Sequence, residues 1–339
     1  MKYNFTILIL SICFVACKKQ NQPLLTDVKT ASTFQNPFVS DGPKAITRNV
    51  IKDKKGNLWM AAFDGVYKYD GTSFTNVISK VTQDRFFSIL EDRKGTLWFG
   101  SINSGVYSYD GTSIQNFTTA DGLIHNFMSW IYEDKKGNIW FGSGGGASRY
   151  DGTRFQNFIL IGDGMYEDKA GLPSYDTPSS DEVTSIIEDK SGKYWFATRG
   201  YTFIYNGKTF ITVSHENQPF RNVRTICEDK NGNIWLGGND GLWRYDGQSF
   251  LRISDKFTGY IYADSHGNLW TSSQGKSPSD NWTINRYDAK TLDAAEPAVK
   301  EIQQEKAMTF GITEAKDGSI WFGALGGVYR YDGETVSGF

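Results

Sequence analysis

At 339 residues the chain is long enough for two ordinary domains or one large one. Its 10 Trp, 18 Tyr and 23 Phe make up 15% of the residues and stand beside 36 Gly and only 8 Pro. That composition excludes disorder and collagen and is richer in aromatics and glycine than a helical protein needs. Thirty-six Lys and Arg against 38 Asp and Glu leave a net charge of −2, so no global field draws the chain to nucleic acid or to an anionic membrane face, and any partner must be recognised locally.

The amino terminus comes first. Lys2 precedes an apolar run from Phe5 to Ala16, too short for the roughly 20 residues of a membrane helix but suited to the core of an export signal. The run ends in Phe14-Val15-Ala16-Cys17, which resembles the bacterial lipobox, although Phe14 stands where Leu, Val or Ile is usual. The resemblance implies removal of a signal over residues 1–16, acylation of Cys17, and a polar tether over residues 17–32; an ordinary cleaved signal is the alternative. Of the other cysteines, Cys13 falls inside the signal and Cys227 lies in the apolar strand Val223 to Glu228, where a small buried hydrophobe is the expected role. No disulfide framework is expected in the mature chain.

From residue 33 onward one pattern recurs, Asp-x-x-Gly-x-(Leu/Ile/Tyr)-Trp. Its tryptophans are Trp59, Trp98, Trp140, Trp195, Trp235, Trp270 and Trp321, each with a glycine three residues earlier. Aspartate stands six residues before the tryptophan except in the last copy, which has Ala315. A second signature, Tyr-Asp-Gly, follows at Tyr69, Tyr109, Tyr150, Tyr205, Tyr245, Tyr287 and Tyr331, with Asn206 and Ala289 as its departures. Each copy reads as four short strands, with Asp-x-x-Gly turning strand one into strand two and Tyr-Asp-Gly turning strand three into strand four. The tryptophans are spaced by 35 to 55 residues, which fits propeller blades rather than a helical solenoid. The predicted fold is all-β, a seven-bladed propeller of four-stranded antiparallel blades over residues 33–339, its aromatics filling the wedges between blades. The segment Thr33 to Phe38 resembles outer-strand text, so an N-terminal strand is expected to complete or extend the last blade, with Thr335-Val336-Ser337 as the alternative.

The text Glu133-Asp134-Lys135-Lys136-Gly137-Asn138-Ile139-Trp140-Phe141-Gly142-Ser143, followed at propeller spacing by segments such as Gly65-Val66-Tyr67 and Gly241-Leu242-Trp243-Arg244-Tyr245, resembles the two-component regulator propeller repeat. That family is found in periplasmic sensor regions of bacterial hybrid histidine kinases, and several such sensors respond to oligosaccharides. No membrane helix or kinase module is read in this chain. The resemblance therefore implies a ligand-binding or sensory role in the cell envelope, held at the membrane by the lipid anchor only, with a small polar ligand such as a glycan fragment, an envelope protein or a separate histidine kinase as partner. Lys18 after the anchor resembles an outer-membrane sorting pattern. A weaker resemblance, through Asp-x-x-Gly-Asn-(Leu/Ile)-Trp, is to the streptogramin lyase propellers, which are enzymes; a purely structural interaction scaffold is the third reading.

Residues present in nearly every copy read as scaffold, because a ligand site in a closed ring breaks the repeat. The Asp-x-x-Gly-Asn turns lack the alternating ligands and distal glutamate of a calcium loop, and no metal site or cofactor is assigned. Glutamate seven before the tryptophan (Glu91, Glu133, Glu188, Glu228, Glu314) and Lys or Arg before the tyrosine (Lys68, Arg149, Arg244, Arg286, Arg330) read as solvated rim charges, with ion pairing among them left open. The two repeated turns share one face of the ring. The opposite face carries the varied segments, and its candidate ligand-binding residues are Arg48, Arg85, Phe86, His125, Trp130, Arg199, Tyr201, Arg224, Asn239, Asp240 and Trp282. Two long insertions, Ile159 to Asp181 and Ala289 to Lys306, also mark individual blades. No Ser-His-Asp order, zinc-ligand spacing or phosphate loop is present, so no catalytic residue is assigned; an acid/base pair of His125 with a carboxylate such as Asp240 is what a lyase would require.

Overall fold

The repeated turn explains the repeated blade. In the first copy Asp53 Oδ1 accepts the amides of Lys55 at 2.9 Å and Asn57 at 2.7 Å, while Oδ2 accepts the Trp59 indole N–H at 2.9 Å. One carboxylate thus fixes the turn and the first large side chain of the next strand together. The glycine of this turn, Gly56 in the first copy, has φ of +89°, the left-handed region that favours glycine.

The computed structural model describes residues 32–33, 38–169, 181–274, 281–305 and 308–339. Blade 1 is the antiparallel meander Thr47–Lys52, Leu58–Ala62, Gly65–Tyr69 and Phe74–Asn76. Blades 2 to 7 repeat it, their first strands being Phe86–Glu91, Met128–Glu133, Val183–Glu188, Val223–Glu228, Phe257–Ala263 and Phe310–Glu314. The seven-bladed, four-stranded antiparallel propeller read from the sequence is the fold observed. Seven apolar clusters each join two neighbouring blades, and each holds one repeat tryptophan. Trp140, Trp195 and Trp235 are among the largest fully buried side chains; such packed aromatic area is where most of the cohesion lies.

Four expectations need correction. Blade 7 is completed by its own strand Val336–Gly338, paired with Tyr329–Tyr331, which is the alternative read at Thr335-Val336-Ser337. The N-terminal segment instead lies outside blades 1 and 2, where Phe38–Ser40 pairs with Phe74–Asn76 and Ser32–Thr33 pairs with Ser113–Ile114. The insertion read at residues 289–306 contains blade 6's fourth strand, Val299–Glu305, reached through a turn whose Leu292 is buried. The recurring glutamates are not solvated rim charges: Glu133 and Glu314 side chains are 14% and 6% exposed. Each of the five accepts an amide from the preceding blade's turn, Glu91 from Lys54, Glu133 from Arg93, Glu188 from Lys135, Glu228 from Lys190 and Glu314 from Ser265. Strand one ends beside the neighbouring blade's turn, and a carboxylate there meets a backbone N–H that strand pairing does not use. The cations before the tyrosines also pack inward in part, with Arg149 over the Trp140 ring and Arg244 donating to the Leu292 and Ala294 carbonyls.

Of the other insertion, blade 3's fourth strand Phe155–Ile161 turns back as Gly164–Glu167, a fifth strand; residues 170–180 lie outside the described residues. The signal, Cys17 and most of the tether lie outside them as well. Among the described residues no helix is long and apolar enough to cross a membrane.

Candidate functional site

The first strand of every blade lines the central channel, and each is interrupted near its start by a β-bulge. A bulge leaves one residue outside the ladder and re-aims its side chain. The residue eleven before each repeat tryptophan sits at or beside this bulge: Arg48, Phe87, Ser129, Thr184, Arg224, Gly259 and Phe310. All seven line one cavity at the channel mouth, on the face opposite the repeated turns, with a volume of about 560 Å³ counting the space open to solvent.

The cavity has a built floor. The Tyr260 hydroxyl of blade 6 lies 3.2 Å from Asn49 Nδ2 of blade 1, and its ring stands 6.5 Å from that of Trp130 in blade 3. These contacts join blade 6 to blades 1 and 3 across the channel. Asn49 also accepts the Ile89 amide at 3.1 Å, tying blade 2 to the same group, and Trp130 donates its indole N–H to the Ile186 carbonyl at 3.0 Å. Burial raises the Tyr260 phenol's pKa far above its usual value, so it stays neutral and serves as a hydrogen-bonding brace.

Charge is concentrated on the wall. The Arg48 guanidinium carbon lies 4.1 Å from the centre of the Phe87 ring and 3.9 Å from that of Phe310. Those are the equivalent residues of the two flanking blades, and they hold the cation by its flat faces. Burial lowers the Arg48 pKa to about 10; the Glu182 carboxylate opposes this, and the Arg224 and Arg199 guanidiniums add to it. Arg224 is lowered too, by burial first and then by Arg199. Both remain cations at neutral pH. Glu182 is engaged with Arg199, at 2.9 Å. The Nε atoms of Arg48 and Arg224 are buried without a hydrogen-bond partner. Thr184 Oγ1 already donates to the Val223 carbonyl at 2.7 Å and Ser129 Oγ to Gly142 at 3.0 Å, so the guanidiniums, with the Tyr260 hydroxyl that accepts from Asn49, are the donors a ligand meets in the cavity.

Of the sequence candidates, the structure brings Arg48, Trp130 and Arg224 into this cavity, with Arg199 at its edge through Glu182. Phe86 is fully buried in the wedge between blades 1 and 2, and the neighbouring Phe87 takes the channel position. Arg85 is exposed, 5.5 Å over the Phe63 ring. Tyr201 is covered by Arg221, 4.3 Å from its ring centre. Asn239 and Asp240 are exposed turn residues of blade 5. Trp282 is buried against Phe257, 5.5 Å between ring centres. His125 is exposed and its Nδ1 accepts the Phe127 amide at 2.9 Å; no hydrogen bond or ion pair joins it to Asp240. Cys227 packs beside the Trp235 cluster, and burial pushes its thiol up to about 12, which removes the thiolate needed for reactivity. Sequence reading missed Phe87, Ser129, Thr184, Gly259 and Phe310, five of the seven positions in the column eleven before the tryptophan, and Glu182 and Tyr260 outside it.

Fold and mouth together define a propeller with one asymmetric, cationic and aromatic opening set in an otherwise uniform ring. The two-component regulator propeller model matches residues 80–103, 122–145, 177–200 and 217–240, so the resemblance read from the sequence holds at four repeats, those of Trp98, Trp140, Trp195 and Trp235. No curated protein matches the chain. Among solved structures, the extracellular domain of what is described as a hybrid two component system from B. thetaiotaomicron is similar at 19% identity and a TM-score of 0.65, over 90% of this chain and 41% of that one. The chain thus spans less than half of that structure. A streptogramin B lyase is similar at 15% identity and a TM-score of 0.60, over 88% of this chain and 97% of that one. A catalytically inactive virginiamycin B lyase from Staphylococcus aureus, solved with quinupristin, is similar at 15% identity and a TM-score of 0.62, over 87% and 97%. At such identities these likenesses concern the fold.

Proposed function

We propose that the chain is a ligand-binding or sensory propeller of the bacterial cell envelope, anchored by lipid at Cys17, that takes a small polar ligand in the channel mouth. A separate histidine kinase or an envelope protein is the partner this role calls for. The observation that carries the reading is the wall of the mouth: all seven blades contribute to it, and it is where the repeat stops repeating and two guanidinium groups, each with an unpartnered Nε, stand among aromatic rings. Flat rings and fixed donors are what a sugar or similar polar molecule needs. The matched repeat and the extracellular relative support an envelope setting.

A thermal-shift screen of the full chain against oligosaccharides and envelope extracts is expected to give at least one stabilising ligand whose effect is lost in Trp130→Ala. No stabilisation by any of them, together with empty pulldowns from envelope fractions, would sink the reading. The lyase alternative predicts opening of a cyclic depsipeptide lactone, and unchanged substrate after incubation with magnesium removes it.

A further inference from the structure

The wall column contains two arginines and no carboxylate. Its two hydroxyls donate to neighbouring backbone carbonyls. The carboxylate that lines the cavity, Glu182, is paired with Arg199. Arg48 is fixed between two rings that offer it no hydrogen-bond acceptor, and its Nε, like that of Arg224, is buried with no partner. Buried donors of this kind cost free energy unless something accepts from them. A neutral sugar would leave two cations balanced only by Glu182, itself paired with Arg199, in a partly dehydrated mouth, whereas an oxyanion would supply the missing negative charge.

We infer that the ligand of the channel mouth is anionic, a small molecule bearing a carboxylate or sulfate group that Arg48 and Arg224 receive, with its less polar face toward Trp130. This rests on the ligand-binding reading above and narrows it to acidic compounds, such as uronic-acid or sulfated sugars among glycans. Glu182 is then a positioning residue: it holds Arg199 and offsets part of the positive charge of the mouth, so it sets how strongly the anion is held.

The test uses matched pairs on the full chain by calorimetry and thermal shift: galacturonate against galactose, benzoate against benzyl alcohol, and sulfate against chloride at constant ionic strength. The acidic member of at least one pair is expected to bind at least tenfold more tightly than its neutral or chloride counterpart. Arg224→Gln should lower that affinity about tenfold, and Glu182→Gln should raise it several-fold. A merely structural role for either residue would not move affinity in opposite directions. Arg224→Gln also keeps the test sound if Arg48→Gln fails to fold after losing its ring sandwich. Equal binding of acidic and neutral members, unaffected by Arg224→Gln, overturns the anionic assignment and leaves the binding role standing. If no anion in the set binds at millimolar concentration, the assignment falls as well; the broader reading falls with it only if the oligosaccharide and envelope screen is also empty.

Discussion

The residue that does most for the ring is the turn aspartate. Asp134 is fully buried and accepts from the Asn138 side chain at 2.8 Å, the Trp140 indole at 3.0 Å and the Tyr194 hydroxyl of the next blade at 3.1 Å. Burial alone would raise its pKa, but these bonds outweigh it and hold the carboxyl below its usual value. Asp134→Ala takes the acceptor from these three side chains and from the Lys136 and Asn138 amides, leaves the Trp140 and Tyr194 donors buried without it, and is expected to cost about 3 kcal/mol by denaturant unfolding, the upper end for such losses. A carboxyl with a depressed folded pKa binds fewer protons folded than unfolded. Its stabilisation is therefore present above about pH 4 and lost as pH falls toward the folded value, so the gap between wild type and variant should narrow below about pH 4. Blade 7 shows a substitute: with Ala315 in the aspartate position, the Trp321 indole donates to Ser319 Oγ at 3.1 Å, and Ser319 is held by Asp317 at 2.6 Å. Asn138→Ser added to Asp134→Ala should accordingly recover about 1 kcal/mol. The aspartate's turn-capping role was legible in Asp-x-x-Gly. Its bond to the tryptophan was not, because sequence spacing does not tell which way an indole N–H points across a hairpin.

At the scale of the strand, two periodicities met and the sequence displayed only one. Alternation along strand one suggests which residues face the channel, but the bulge adds one residue and shifts that parity. This is why Phe86, read as a ligand residue, packs in a wedge while Phe87 faces the mouth. Counting back eleven residues from each tryptophan absorbs the bulge and would have found the whole wall; it is the most useful signal the sequence held. The glutamate series was visible, yet its purpose depends on the neighbouring blade, which a single repeat cannot reveal. Blade 6 tests that account, since Ala263 occupies the glutamate position and offers the Lys230 amide of blade 5 no carboxylate, although Asp293 of blade 6 already binds that turn through the Asn231 and Asn233 side chains. Ala263→Glu is expected to supply the missing staple and to stabilise the protein by roughly 1 kcal/mol, read as a higher midpoint in denaturant. A neutral or lower midpoint would show that the five existing glutamates sit there without holding blades together.

At the scale of the whole ring, the question is how the first and last blades join. Many edges are protected by exchanging a strand, and the outer-strand text near residue 35 pointed to that device. The structure closes the ring by packing instead. The cluster shared by blades 7 and 1 brings Trp321 against Val50, Met60 and Tyr69. Phe339 then lies over this seam, its ring 4.9 Å from that of Trp321, 5.7 Å from Phe74 and 6.2 Å from Tyr69, while its amide donates to the Val328 carbonyl at 3.0 Å. Aromatic pairs contribute about 0.5–1.5 kcal/mol each beyond the area they bury, so Phe339→Ala is expected to cost about 2 kcal/mol. The loss should be local. Hydrogen exchange ought to quicken first in the outer strands of blades 7 and 1, with blades 3 to 5 keeping their protection until global unfolding. Uniform acceleration around the ring would mean that closure is shared equally by all seven wedges and that this seam is no weaker than the rest. Because Arg48 is clamped between Phe87 of blade 2 and Phe310 of blade 7, loosening the seam should also reach the mouth, lowering ligand affinity in Phe339→Ala although the substituted residue touches no part of the cavity.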